Sequence, residues 1–193
     1  MTPEQLFVYT DEVCIHAQLA ISNYLTFGNI VHEEKNRQTR EAWMYLQSFL
    51  SHFGMVSKLL YAPSSRQEVS KNRAIELREY LETNETSALN DRDARNAIEH
   101  LDERMDNWLS VEGKGFLESV FQNKAAYEYL DSDRWIVRRV FLVDEEIFIT
   151  QEQDGPKEMS LAPIEQELYR IIEVCRDKLD NHKSYYIVQP EQG

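Results

Sequence analysis

Hydrophobic positions along the chain recur mostly at helical spacing. Thr2-Pro3-Glu4-Gln5 combines a hydroxyl cap, a proline at the first helical position and a glutamine three residues after the threonine. That is the reciprocal arrangement which satisfies free backbone N–H groups at a helix start. A first helix is expected from here, carried by Leu6, Val13, Ile15, Leu19, Tyr24 and Leu25 toward Gly28, the first candidate stop. The polar stretch from His32 to Arg37 leads into a second helix, in which Trp43, Leu46, Leu50, Phe53, Val56 and Leu60 return every three or four residues. Ala62-Pro63-Ser64-Ser65 breaks it. A shorter, charged helix from about Glu68 to Glu82 then keeps only Val69, Ile75, Leu77 and Leu81 for burial. A fourth helix, capped by Asn90 or Asp91, is expected to reach Trp108 or Leu109. Its apolar stripe is Ala94, Ile98, Leu101, Met105 and Trp108, with Glu99, Asp102, Glu103 and Asp106 outside it.

The period changes after Gly113-Lys114-Gly115, itself read as a flexible turn. Trp135 to Val143 and Glu146 to Thr150 are β-rich runs around a short acidic turn, which predicts a β-hairpin within about residues 127–150. Gly155-Pro156 reads as a loop, and Pro163 opens a last helix with Ile164, Leu168, Ile171, Ile172, Cys175 and Leu179 inward. The expected fold is mainly α: an antiparallel four- to five-helix bundle with a small β-hairpin inserted before the last helix, in a single domain over residues 1–193.

Charge narrows the partners. With 34 acidic and 21 basic residues the formal charge is -13, which disfavours broad phosphate binding and leaves nucleic acid to a local basic cleft. The two cysteines lie far apart with no CxxC pair, so neither a disulfide scaffold nor a cysteine zinc site is expected and a cytoplasmic setting is the natural one. The N-terminus has no basic region and the apolar runs are short, so neither a signal peptide nor a membrane span is expected. The six glycines form no GxxxxGK, GxGxxG or GxSxG pattern. A di-iron bundle needs Glu-x-x-His pairs, but the residues three before the five histidines are Val13, Asn29, Phe49, Ala97 and Leu179. HExxH is absent too, so no metal and no cofactor is expected. Glu12 and His16, one turn apart, read as an ion pair on a helix face, and His52 as a packed or partly exposed histidine.

One constellation remains. The segment from Asp93 to Arg104 gathers Arg, Asn and His on a single helix. At about 100° per residue, Asn96 and His100 fall about 40° apart on one face, with Arg104 about 40° further round, while Arg95 lies about 140° from His100. Either the long guanidinium swings across, or a second copy of the helix supplies the partner at a two-fold axis. Such a group supports phosphoryl transfer. Imidazole exchanges a proton near pH 7, and a planar guanidinium holds two phosphate oxygens as charge builds on them. The plain alternative is a surface helix whose Arg95, Glu99, Glu103 and Arg104 make weak salt bridges.

Arg95-Asn96, followed by Ala97-Ile98-Glu99 and His100, resembles the Arg-polar-x3-His signature of HEPN domains, helical bundles of prokaryotic toxins, defence systems and RNA-processing proteins. The continuation through Asp102-Glu103-Arg104, the preceding aromatic helix and the following hairpin and terminal helix are similar to an uncharacterised HEPN-like branch. In catalytically active relatives the resemblance implies a metal-independent endoribonuclease with a composite site at a homodimer interface, serving stress response or defence, with an antitoxin or operon partner possible. His100 would then assist attack by the RNA 2'-OH or protonate the leaving 5' oxygen, Arg95 would stabilise the pentacovalent phosphate, and Asn96 would position the phosphate or His100. Toxin silencing by nucleotidylation needs a tyrosine two residues after the histidine, where this chain has Asp102. The alternative within the family is a noncatalytic dimerisation, ligand-binding or interaction module. Residues 91–112 hold seven acidic side chains against three arginines. RNA binding therefore asks for compensation from Arg73, Arg78, Arg134, Arg138 and Arg139.

Overall fold

The computed structural model describes residues 1–62, 66–91, 101–130, 134–152 and 155–181. Helix α1 spans Pro3–His32 and α2 spans Arg40–Leu60. Then follow α3 (Glu68–Tyr80), a single 3-10 turn over Ala88–Asn90 and α4 (Leu101–Leu109). Strand β1 (Gly115–Phe121) is joined through the short helix α5 (Lys124–Glu128) to β2 (Trp135–Leu142). Strands β3 (Ile147–Glu152) and β4 (Gly155–Ser160) lead into the last helix, α6 (Ala162–Asp180).

The expected cap at Thr2 forms in full. The Thr2 hydroxyl accepts from the Gln5 N–H at 3.3 Å, and the Gln5 side chain accepts from the Thr2 N–H at 3.0 Å. Gly28 does not stop the helix. The buried residues Phe27 and Val31 flank it and continue the inward face, so α1 runs on to His32 before Glu33 turns extended. The inward face also differs from the one the large side chains predict. Val13 and Tyr24 are buried as expected, but Ile15, Leu19 and Leu25 are exposed, and Cys14, Ala17 and Ala20 take the interior. Small residues let α2 and α6 approach α1 closely, whereas a leucine at the same seam would hold the helices apart. On α2 every predicted inward residue is buried, and on α6 all are except Leu179, which is partly buried. On α3, Leu77 and Leu81 are buried, but Val69 is 78% exposed and Ile75 55% exposed. In α4, Trp108 is buried and Met105 exposed, while Ala94, Ile98 and the Leu101 side chain lie outside the described residues.

The expected hairpin is part of a larger sheet. Strands β2 and β3 do pair antiparallel, Phe141 opposite Phe148, around the acidic turn. To this pair are added β1, parallel to β2, and β4, antiparallel to β3, so the sheet is mixed and four-stranded in the order β1-β2-β3-β4. The fold is thus mainly helical but is not a bundle with a hairpin alone. Strand β4 escapes sequence reasoning because it begins Gly155-Pro156. Proline lacks a donor, and an edge strand tolerates it because one row of its N–H groups has no ladder partner to lose. Strand β1 begins at Gly115, where a Cβ would stand 2.7 Å from the Trp135 ring, so the absence of a side chain lets the indole close over the strand.

One face of the sheet joins the helical core: Phe141 meets Phe27 edge-on at 4.8 Å, and Val120, Phe148 and Met159 belong to the same core. The other face carries Val137, Val140, Leu142 and Ile149, covered in part by Tyr127 of α5. Two polar contacts fasten helices to sheet. Tyr24 Oη donates to Glu146 Oε1 at 3.3 Å. Gln38, in the α1–α2 connection, donates to the Val120 carbonyl at 2.7 Å and accepts from the Val120 N–H at 3.0 Å, using its amide as a strand's peptide would on the open side of β1. Replacing Gln38 by Ala removes both bonds and leaves the backbone of Val120 to water. Stability should drop by about 1 kcal/mol, read as a lower urea midpoint at unchanged slope.

Candidate functional site

The three residues that sequence reasoning singles out, Arg95, Asn96 and His100, lie outside the described residues. The described part of their neighbourhood begins with α4. Arg104, expected on the same face as His100, donates from Nη2 to Glu152 Oε1 at 2.5 Å, tying α4 to the end of β3. Asp102, Glu103 and Asp106 are exposed, as the stripe pattern requires, so α4 presents an acidic outer side.

The arginines that might offset this acidity are engaged with the protein's own groups. Arg73 donates to the Lys58 carbonyl at 3.3 Å and lies over the Tyr9 ring. Arg78 donates to the Leu60 carbonyl at 2.5 Å, pairs with Glu85 and lies over Tyr61. Arg138 and Arg139 converge on one carboxylate, Glu118, at 3.4 and 2.6 Å. This convergence has a backbone cause. The β1–β2 register slips between Leu117 and Glu118, pairing them with Val137 and Arg139 and leaving Arg138 as the extra residue of a bulge, which redirects a side chain that alternation would send to the opposite face. Arg134 is exposed just before β2. These contacts contribute little stability at the surface; Glu85 offsets the charge of Arg78, and the one Glu118 carboxylate is shared by Arg138 and Arg139.

A cleft of about 500 Å³ opens between the loop at residues 82–88 and the start of α6, lined by Thr83, Asn84, Thr86, Ser87, Glu167 and Arg170. Its charges neutralise one another. Arg170 donates to both Glu167 oxygens at 2.9 and 2.8 Å, and the Ser87 hydroxyl donates to Glu167 at 3.0 Å. Burial works against the Glu167 charge, but the bonds from Arg170 and Ser87 prevail and hold the carboxyl below its ordinary range. Asn84 turns its side-chain oxygen onto Thr86, accepting from the N–H at 2.9 Å and the hydroxyl at 2.7 Å. Hydrogen-bonding groups therefore line the cleft, with its cation already matched by a carboxylate.

A second pair of titratable groups escapes residue-by-residue reading of the sequence. His16 on α1 and His52 on α2 face each other, Nδ1 to Nδ1 at 2.9 Å, with ring centroids 5.1 Å apart. One imidazole donates and the other accepts, so the contact needs at least one neutral ring. Glu12 lies on the far side of His16, 3.9 Å from Nε2. The Glu12–His16 spacing was legible as a helix-face pair, whereas the partnership with His52 comes from the antiparallel packing of two helices joined by a short connection. Among the described residues no group of three or more His, Cys, Asp or Glu side chains is placed to hold a metal ion. No helix among them is long and apolar enough to cross a membrane.

Comparison with family models, with curated proteins and with solved structures gives no match. What the site can do chemically is therefore argued from its residues.

The histidine pair makes a pH prediction. Burial, and then the nearby His16, lower the His52 pKa from its ordinary 6.5. A depressed histidine pKa means that the unfolded chain binds the proton more tightly, so protonation favours unfolding. This contribution is fully present above about pH 7 and declines as pH falls through 6.5, levelling off below the depressed folded value. A His52→Gln variant should lack this component. The difference in thermal midpoint between wild type and variant should narrow or reverse between about pH 7.5 and 5.5, and a difference independent of pH would contradict the pairing.

Proposed function

We propose that the chain is a metal-independent RNA endonuclease of HEPN type acting as a homodimer, in stress response or defence. The observation that carries the reading is the Arg95-Asn96-x3-His100 spacing, which leads into α4 within a mainly helical fold. An imidazole and a guanidinium suffice for this reaction when the nucleophile is the substrate's own 2'-OH. His100 accepts or returns a proton, Arg95 takes up the charge that develops on the nonbridging phosphate oxygens, and Asn96 orients the phosphate or the imidazole. On an ideal helix Arg95 lies about 140° from His100, which supports a site completed by a second protomer, the alternative being a guanidinium that swings across within one.

A second reading, a noncatalytic interaction module of the same family, is favoured by one specific observation. Arg73, Arg78, Arg138 and Arg139 are engaged within the protein, in a chain of net charge -13, so long-range attraction of RNA is weak. The endonuclease reading then requires recognition of a few nucleotides by close contacts rather than a long basic track.

Cleavage of single-stranded RNA decides between them. The nuclease should work in EDTA and leave 2',3'-cyclic phosphate and 5'-hydroxyl ends, and a 2'-deoxyribose at the scissile position should block it. His100→Ala and Arg95→Ala should stay folded and lose on the order of a hundredfold or more in rate. Intact RNA across varied substrates, with either substitution dissociating the dimer, would establish the interaction module instead.

A further inference from the structure

Two imidazoles carried by separate long helices face each other at a distance that suits a metal ion. His16 lies within α1 and His52 within α2, so each ring is held by a backbone that the turns on either side keep in place. Their Nδ1 atoms stand 2.9 Å apart, with the ring planes inclined at 39°. Two imidazoles bonded to one metal at about 2.0 Å each bring their nitrogens to about 2.8–2.9 Å when the ligands are cis in a square-planar or octahedral site, and to about 3.3 Å in a tetrahedral one. The observed spacing matches the cis arrangement, and square-planar coordination by nitrogen and oxygen is characteristic of Cu(II) and Ni(II). Solvent reaches the pair, since the His16 side chain is 20% exposed and His52 is only partly buried. Glu12 lies on the far side of His16, 3.9 Å from Nε2. A carboxylate behind the second ring nitrogen is the usual support of a metal-bound histidine: it keeps the proton on that nitrogen and leaves the other free to donate its lone pair. Burial, and then His16, lower the His52 pKa, so this ring too is neutral at pH 7 and available as a ligand.

We propose that His16 and His52 form a two-imidazole site for a divalent transition-metal ion of the Cu(II) or Ni(II) type, bound through both Nδ1 atoms between α1 and α2. The ion takes the place of the proton that now joins the two nitrogens. His16 keeps its own proton on Nε2 toward Glu12, and His52 transfers its proton from Nδ1 to Nε2 by way of solvent, so both rings stay neutral and no net proton is released. Each ring pivots until its Nδ1 lone pair turns from the facing nitrogen onto the ion, a movement that two partly exposed side chains allow. Among the described residues no third His, Cys, Asp or Glu is placed to join them, so water completes the coordination. The site shares no residue with Arg95, Asn96 and His100, and its failure would leave the endonuclease reading untouched.

The test adds copper(II) chloride to the full-length chain in a buffer that does not bind metal, and follows binding by calorimetry and by electron paramagnetic resonance. The expected result is a single saturable ion per chain, removed by EDTA, whose pulsed spectrum carries the remote nitrogens of two imidazoles. His16→Ala and His52→Ala should each abolish the two-imidazole signature and weaken binding by at least the roughly 10–100-fold that loss of a supporting group costs, and Glu12→Gln should weaken it by about tenfold. His32→Ala, at the exposed end of α1, should bind as the wild type does. Circular dichroism establishes that each variant is folded. Where an alanine variant is not, the corresponding glutamine variant, which keeps a hydrogen-bonding side chain in the seam, takes its place. Absence of saturable binding, a spectrum with no more than one imidazole, or wild-type affinity in either histidine variant would each overturn the proposal.

Discussion

Helix α1 is enclosed by α2, α3 and α6 and by one face of the sheet, and the close approach this demands is met by small side chains rather than large ones. Ala17 and Ala20 are fully buried at the seam, while Ile15 and Leu19 of the same helix face outward. Every other placement follows from this seating. It sets His16 against His52, buries Cys14 and Cys175 in one core from distant parts of the chain, and lets Phe27 and Tyr24 reach the sheet at Phe141 and Glu146. An interior packed this tightly tolerates little change in volume, so enlarging Ala17 or Ala20 would disturb all of these contacts together.

The legible parts of the fold were those in which local signals and burial agree. The Thr2 cap, the aromatic face of α2, the β2–β3 hairpin and the inward face of α6 each follow from a spacing and are observed at that spacing. Where the sequence misled, a tertiary contact outweighed a local preference. Gly28 reads as a terminator, yet buried neighbours on either side carry α1 past it. Gly155-Pro156 reads as a loop, yet it begins an edge strand. The parallel pairing of β1 with β2 depends on a crossover and on Trp135 closing over Gly115, neither of which leaves a periodic trace in the sequence. The candidate site divides in the same way. The Arg95, Asn96 and His100 motif is visible in sequence because its residues are neighbours, whereas the fate of the arginines around it is not. Arg138 and Arg139 look like a basic pair until the bulge aims both at Glu118.

These arginine pairings shape the functional account. A nuclease that relied on long-range attraction would leave its guanidiniums exposed to the substrate, but here Arg73 and Arg78 bond to backbone carbonyls and Arg138 and Arg139 turn to Glu118. Catalysis by Arg95 and His100 would then draw its specificity from contacts within the composite site, and its salt dependence would be shallow compared with proteins that track many phosphates.

The central claim is that Arg95 and His100 act across the two-fold axis of a dimer, and mixing two inactive variants tests it most directly. Arg95→Ala and His100→Ala protomers, unfolded and refolded together, form about half heterodimers, each with one site that keeps both wild-type groups. The account predicts recovery of about a quarter of wild-type RNA cleavage in the mixture, with neither variant active alone. A mixture that exchanges subunits yet stays inactive, beside an active wild type, would contradict it.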